Sequence, residues 1–272
     1  MAEKGMLFDH AKCTACRGCQ VACKQWNGLP AEETTFFAEK GGYQNPAALS
    51  PKTWALVKFY EARIDGRLRW LFRTATCMQC VDPACVKACP VEPVKAMTHN
   101  KELGVTYVNR DLCIGCGACN EYCPWSIPQI DEDAGYSTKC TGCVDRQING
   151  LEPACAKACV SGALVFGDYD EIIELAHKAK QRLEAEGRNP RIYGEKELGT
   201  GTHKICVMPE PLEYYPDLIK SPKVSEDIGY FHDLLKPMGS LTLTAALVGM
   251  VISKVKEIRE RPYNSKSDQQ KG

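Results

Sequence analysis

The stretch CIGCGACNEYCP, residues 113–124, places cysteines at 113, 116, 119 and 123, a C-x2-C-x2-C-x3-C run closed by Pro124. CTACRGCQVAC, residues 13–23, repeats that spacing with Cys13, Cys16, Cys19 and Cys23. Two further groups keep the C-x2-C opening and the x3-C ending but widen the middle gap: Cys77, Cys80, Cys85 and Cys89, then Cys140, Cys143, Cys155 and Cys159. Sixteen of the 17 cysteines therefore form four quartets, and only Cys206 stands apart. They are not mainly a disulfide framework. Such frameworks belong to short secreted chains, whereas 272 residues leave room for a core, the opening MAEKGMLFDH does not read as a signal peptide, and the cysteine count is odd. At 44% apolar and 25% charged the composition is globular. With 34 basic against 34 acidic residues, nothing favours a nucleic-acid partner.

Metal is the remaining use for the thiols. Zinc sites are tetrahedral and usually built from two C-x2-C pairs, often with histidine. None of the five histidines, His10, His99, His177, His203 and His232, sits at a partner spacing. A c-type haem needs C-x-x-C-H, but the pairs are followed by Arg17, Gln20, Val81, Gly117, Asn120 and Val144. In bacterial ferredoxins the C-x2-C-x2-C-x3-C loop wraps three thiolates around one [4Fe–4S] cube while the fourth cysteine, starting a helix, reaches another cube. Soft thiolates match iron–sulfur cores, so the quartets imply four [4Fe–4S] clusters. Pro90 and Pro124 follow the second and third groups, whereas Lys24 and Val160 follow the outer ones. Proline fixes φ and removes an N–H that could point at sulfur. The middle pair thus looks most like a free-standing ferredoxin.

The expected fold is α+β, two nested ferredoxin-like units that exchange their fourth cysteines. Residues 1–70 with 134–200 form the outer unit and 71–133 the inner one. The expected ligand sets are Cys13, Cys16, Cys19 and Cys159; Cys23, Cys140, Cys143 and Cys155; Cys77, Cys80, Cys85 and Cys123; and Cys89, Cys113, Cys116 and Cys119. Thr53–Tyr60 and Leu68–Thr74 are β-rich and joined through Asp65-Gly66, a hairpin signal. From Asp170 to Glu186 apolar residues recur at Ile172, Leu175, Ala176, Ala179 and Leu183, and Gly187 follows as a C-cap, which predicts an amphipathic helix packed on the body. Residues 201–236 show no regular period and read as an extended tail. Cys206, without a partner group, reads as a buried free thiol.

Pro237 to Ser253 are 17 uncharged residues, about 25 Å as a helix and a little short of the ~30 Å hydrocarbon layer. The reading is a helix over 237–255 that anchors in a membrane or docks on a partner subunit. The basic tail 256–272 would set the C-terminus in the cytoplasm and the cluster domain on the other side. The chain shows no phosphate loop, dinucleotide fingerprint or nucleophile–base motif. With a radius of gyration of about 18 Å by length scaling, the body is too wide for one electron hop, and closely spaced clusters divide the distance.

CTACRGCQVACKQWN (13–27), CMQCVDPACVKACP (77–90), CIGCGACNEYCPWSIPQI (113–130), KCTGCVDRQINGLEPACAKAC (139–159) and GALVFGDYDEIIELA (162–176) together resemble the four-cluster electron-transfer subunits of molybdopterin oxidoreductases. Within that group the chain is most similar to the β subunits of formate dehydrogenases. The resemblance implies no catalytic site in this chain and a large partner whose molybdenum or tungsten bis-pterin centre oxidises formate. It also implies a membrane cytochrome b or other acceptor, and export on the partner's signal or else a cytoplasmic complex. Related subunits serve dimethyl sulfoxide and polysulfide reductases, which is the alternative. Each oxidised cluster with its four thiolates adds about −2, so the loaded chain is expected near −8 although its formal charge is +0.

Overall fold

Short elements alternate with the cysteine groups along the chain. β1 (Lys4–Asp9) leads to α1 (Gly18–Trp26), which carries the end of the first group, and then to the long strands β2 (Ala55–Ile64) and β3 (Arg67–Thr76). Groups two to four run through α2 (Ala84–Lys87), β4 (Met97–Asn100), β5 (Val105–Val108), α3 (Ala118–Glu121), β6 (Gln129–Asp131), β7 (Tyr136–Thr138), α4 (Val144–Gln147) and α5 (Ala154–Lys157). β8 (Leu164–Asp168), α6 (Tyr169–Ala185), β9 (Arg191–Tyr193) and β10 (Lys204–Met208) follow, and a 3₁₀ turn at Leu212–Tyr214 comes after them. The computed structural model describes residues 3–34, 43–225 and 228. By contacts the chain divides into Met1–Ser225 and Glu226–Gly272. The hydrophobic helix expected over 237–255 and the tail 256–272 lie outside the described residues. Among the described residues no helix is long and apolar enough to cross a membrane. The mixture of helix and strand is α+β.

The body is organised on a four-stranded sheet in the order β8-β1-β10-β9. β1 and β10 run parallel, with Met6 opposite Lys204 and Asp9 opposite Val207, and β8 and β9 pair antiparallel on the outer sides. Alternation along the two central strands decides what each face holds. Leu7, Ile205 and Val207 pack against Ile172, Ala176, Ala179 and Leu183 of α6. Phe8, Cys206 and Met208 turn to the other face, where they meet Val57, Ala62, Ile64 and Leu71 of the β2–β3 pair together with Tyr193 and Tyr215.

α6 forms where its apolar residues recur at the helical period. Asp170 and Glu171 in its first turn complement the positive end of the helix dipole. It stops at Gly187, whose φ of +74° lets its N–H reach Glu184 O at 3.0 Å while Arg188 N–H reaches Leu183 O at 3.0 Å. Of the expected apolar stripe only Leu175 is left 39% exposed. Arg182 donates to Asp9 Oδ2 at 2.9 Å, and Asp9 is only 1% exposed, so one charge-assisted bond ties the helix to the central strand.

β2 and β3 pair from Ala55 opposite Thr76 to Ile64 opposite Arg67, leaving Asp65 (φ 51°) and Gly66 (φ 74°) as a two-residue turn. Two positive φ values are what a type I′ turn requires. The segment after β10 returns over these strands. Glu210 accepts from Arg69 at 2.8 Å and Arg188 at 2.9 Å, Tyr215 is fully buried, and Asp217 accepts from Lys58, Tyr60 and Arg73.

The region from residue 201, expected to be an extended tail, differs at its start: Lys204–Met208 is a central strand. All five of its residues are buried. A strand covered on both faces has no apolar–polar alternation, so periodicity does not announce it. Cys206 is buried there and is free of any disulfide.

Ile172 is 0% exposed between α6 and the sheet, so Ile172→Ala is expected to destabilise the chain by about 2–5 kcal/mol. Leu175→Ala on the open side of the same helix should stay within about 0.5 kcal/mol. Thermal unfolding of the two variants measures the contrast; equal losses would show that α6 is not packed as described.

Candidate iron–sulfur sites

Every quartet begins with the same backbone turn. The residue two places after the leading cysteine is left-handed in all four: Ala15 (φ 55°), Gln79 (φ 52°), Gly115 (φ 67°) and Gly142 (φ 65°). In groups one and four this turns an N–H back on the leading sulfur, Ala15 N to Cys13 Sγ at 3.4 Å and Gly142 N to Cys140 Sγ at 3.4 Å. Other N–H groups reach sulfur from further along the chain. Ser137 N lies 3.3 Å from Cys113 Sγ and Leu164 N 3.3 Å from Cys159 Sγ. Donors aimed at sulfur favour its charged form.

The structure brings the thiols together across groups as well as within them. Cys13 has Cys19, Cys159 and Cys16 beside it. Cys23 has Cys140, Cys155 and Cys143, and these four line one cavity together with Cys77. Cys80 has Cys77, Cys85 and Cys123. Cys89, Cys113, Cys116 and Cys119 line a second cavity, with Pro90, Met97 and Ile130 among the other walls. Cys16 and Cys116 are exposed, whereas the other cysteines of the quartets are buried or half-buried.

Burial pushes the thiols of Cys13 and Cys143 up to about 11 and those of Cys85 and Cys155 to about 12, with neighbouring cysteines adding to the effect. Cys23 and Cys80 are raised as well, first by burial and then by the cysteines beside them. Such thiols are neutral when no metal is present, and a metal centre takes the place of their protons. Among the described residues no three His, Cys, Asp or Glu side chains close on a point that could hold a single ion. A polynuclear core differs in offering a separate iron to each thiolate. All-sulfur donor sets around a space, with N–H groups turned on the sulfurs, fit a [4Fe–4S] core.

Spacing alone does not show the polar groups between the quartets. Ser137 Oγ is 3.2 Å from Cys119 Sγ, Gln79 Nε2 is 3.9 Å from Cys140 Sγ, and Lys139 Nζ is 3.7 Å from Cys77 Sγ. The one signal in the sequence is position: Gln79 and Lys139 each stand immediately beside a quartet cysteine.

Residues 68–169 match the family described as a 4Fe-4S dicluster domain. Over most of its length the chain is similar to subunits of formate dehydrogenases. It is 37% identical over 253 residues to the iron–sulfur subunit of the nitrate-inducible formate dehydrogenase of Escherichia coli, covering 92% of this chain and 84% of the relative. It is 36% identical over 195 residues to the formate dehydrogenase 2 subunit beta (cytochrome c-553) of Nitratidesulfovibrio vulgaris, covering 70% and 87%. A polypeptide of the anaerobic dimethyl sulfoxide reductase of Haemophilus influenzae matches at 33% over 174 residues, covering 63% and 77%. The chain belongs to the family of formate dehydrogenase iron–sulfur subunits.

A Cβ at Gly142 would collide with Val105 Cγ1 between Cys140 and Cys143, whereas one at Gly117 meets nothing within 4 Å. Both glycines have positive φ, so an alanine at either is strained. Gly142→Ala is therefore expected to lower bound iron well below the wild-type content and Gly117→Ala to retain most of it. Iron analysis of the two purified variants decides; equal retention would mean that the crowding at Gly142 does not hold the loop.

Proposed function

We propose that this chain holds four [4Fe–4S] clusters and serves as the electron-transfer subunit of a formate dehydrogenase complex, accepting electrons from a molybdenum or tungsten bis-pterin subunit that oxidises formate. It is the non-catalytic member of that oxidoreductase, and its acceptor is a membrane cytochrome b or another redox protein. The carrying observation is the grouping of the thiols. Cys13, Cys16, Cys19 and Cys159 would hold the first cluster and Cys23, Cys140, Cys143 and Cys155 the second. Cys77, Cys80, Cys85 and Cys123 would hold the third, and Cys89, Cys113, Cys116 and Cys119 the fourth. The neighbourhoods of Cys13, Cys23 and Cys80 and the two lined cavities support each set.

Proximity between neighbouring sets supports a linear order. Cys19 of the first set acts on Cys23 and Cys155 of the second, and Cys119 of the fourth acts on Cys85 of the third. The exposed cysteines, Cys16 and Cys116, then belong to the two ends. A bound [4Fe–4S] cluster takes up and returns one electron. This grouping also supports the nested arrangement, an inner unit over 71–133 within an outer unit over 1–70 and 134–200. Residues 237–253 would anchor the subunit in a membrane or dock on its partner, with the cluster domain on the periplasmic side and the C-terminus in the cytoplasm.

The function is tested on the native complex purified without oxygen. About 16 irons per chain, four cubes of four, and formate-dependent dye reduction are expected. Sulfoxide reduction without formate oxidation would move the chain to the sister reductases. The grouping is tested by Cys159→Ser, which should abolish the cluster of the first group; loss of the third group's cluster instead would overturn the nesting.

A further inference from the structure

The second and third thiol sets are linked by a closed ring of buried polar groups. Gln79 stands between Cys77 and Cys80, and its Nε2 crosses to the fourth group, donating to Cys140 O at 3.2 Å and lying 3.9 Å from Cys140 Sγ. Lys139 stands beside Cys140, and its Nζ crosses the other way, donating to Cys140 O at 2.9 Å and lying 3.7 Å from Cys77 Sγ. Thr106 of β5 joins the two. Its N–H donates to Gln79 Oε1 at 2.8 Å, and its carbonyl accepts from Lys139 Nζ. Gln79, Thr106 and Lys139 are 7%, 1% and 3% exposed, so water does not screen the ring.

A buried ammonium normally carries a large desolvation cost and is found only with compensating partners. Here two carbonyls and sulfur supply them. Lys139 Nζ faces the sulfur of Cys77 at 3.7 Å, and the residue's own chain neighbour is Cys140. Those cysteines belong to both sets. In a low-dielectric interior a positive charge acts strongly on whatever lies within a few ångströms, and nearby charge and hydrogen bonds to sulfur are levers on cluster potential.

We infer that Lys139 and Gln79 are positioning residues that join the second and third cluster sites and raise the reduction potentials of both. The inference rests on the cluster grouping of the preceding subsection. The charge of Lys139 favours the reduced, more negative state at either site. Gln79 adds a donor toward the outer site, and Thr106 keeps both side chains crossed. The middle of the wire is thereby matched as a pair instead of being set site by site.

The test is an anaerobic redox titration of the intact complex followed by electron paramagnetic resonance, with iron counted in each sample. A wild-type chain far below about 16 irons would sink the cluster grouping itself, and the junction with it. With full iron, Lys139→Met is expected to move two of the four reduction waves to lower potential and leave two in place, and Lys139→Arg to restore them. Gln79→Leu should move the same pair by less. If Lys139→Met fails to keep its iron, Gln79→Leu and Lys139→Arg carry the decision. Two waves lowered in Gln79→Leu and near wild-type waves in Lys139→Arg support the junction. Four unmoved waves, or four waves moved together, overturn it.

Discussion

An interior thiol resists ionisation, yet a thiolate is the form that binds iron. Every quartet is built around that conflict. The left-handed residue after each leading cysteine turns the loop, N–H groups from Ala15, Gly142, Ser137 and Leu164 face sulfur, and Lys139 places a cation where two sets approach. The surrounding fold serves these loops. β4–β5 and β6–β7 separate consecutive groups, while the four-stranded sheet and α6 form an apolar body that fixes where the groups sit.

How much of this could be read from the chain depended on whether a feature is local. The quartets are local, since x2 and x3 spacings are too short to be reached by chance in four places. α6 is local as well: its period places Ile172, Ala176, Ala179 and Leu183 on one stripe, and Gly187 ends it. The Asp65-Gly66 turn belongs to the same class. β10 is different. Ile205, Val207, Cys206 and Met208 are covered on both faces, and its partner β1 lies nearly the whole described chain away. Without alternation or a neighbouring strand, such a segment reads as irregular. Lys139 and Gln79 were hidden for a related reason, because what each does depends on a cysteine about sixty positions distant, and only the fold brings them together.

The charge balance also gains meaning from the fold. Equal numbers of acids and bases are ordinary on a surface, but among the described residues the ion pairs of buried carboxylates are few and placed. Asp9 with Arg182 fastens helix to sheet, and Glu210 with Arg69 and Arg188 fastens the returning segment. Among the described residues Lys139 lacks a carboxylate as hydrogen-bond partner and faces sulfur and carbonyl oxygen. Part of the basic complement therefore answers the negative charge of loaded thiolates, which the formal count leaves out.

The parallel pairing of β1 with β10 has a consequence for how the protein is made. Asp9 waits for Val207, so the central sheet cannot close until nearly two hundred further residues have been synthesised. At about 5–20 residues per second that is roughly 10–40 s. All the quartet cysteines precede β10, so Cys23, Cys77, Cys140, Cys143 and Cys155 leave the ribosome before Lys204, which lines their cavity, has been made. Closing the sheet is therefore a late event, and it completes the wall of that cavity.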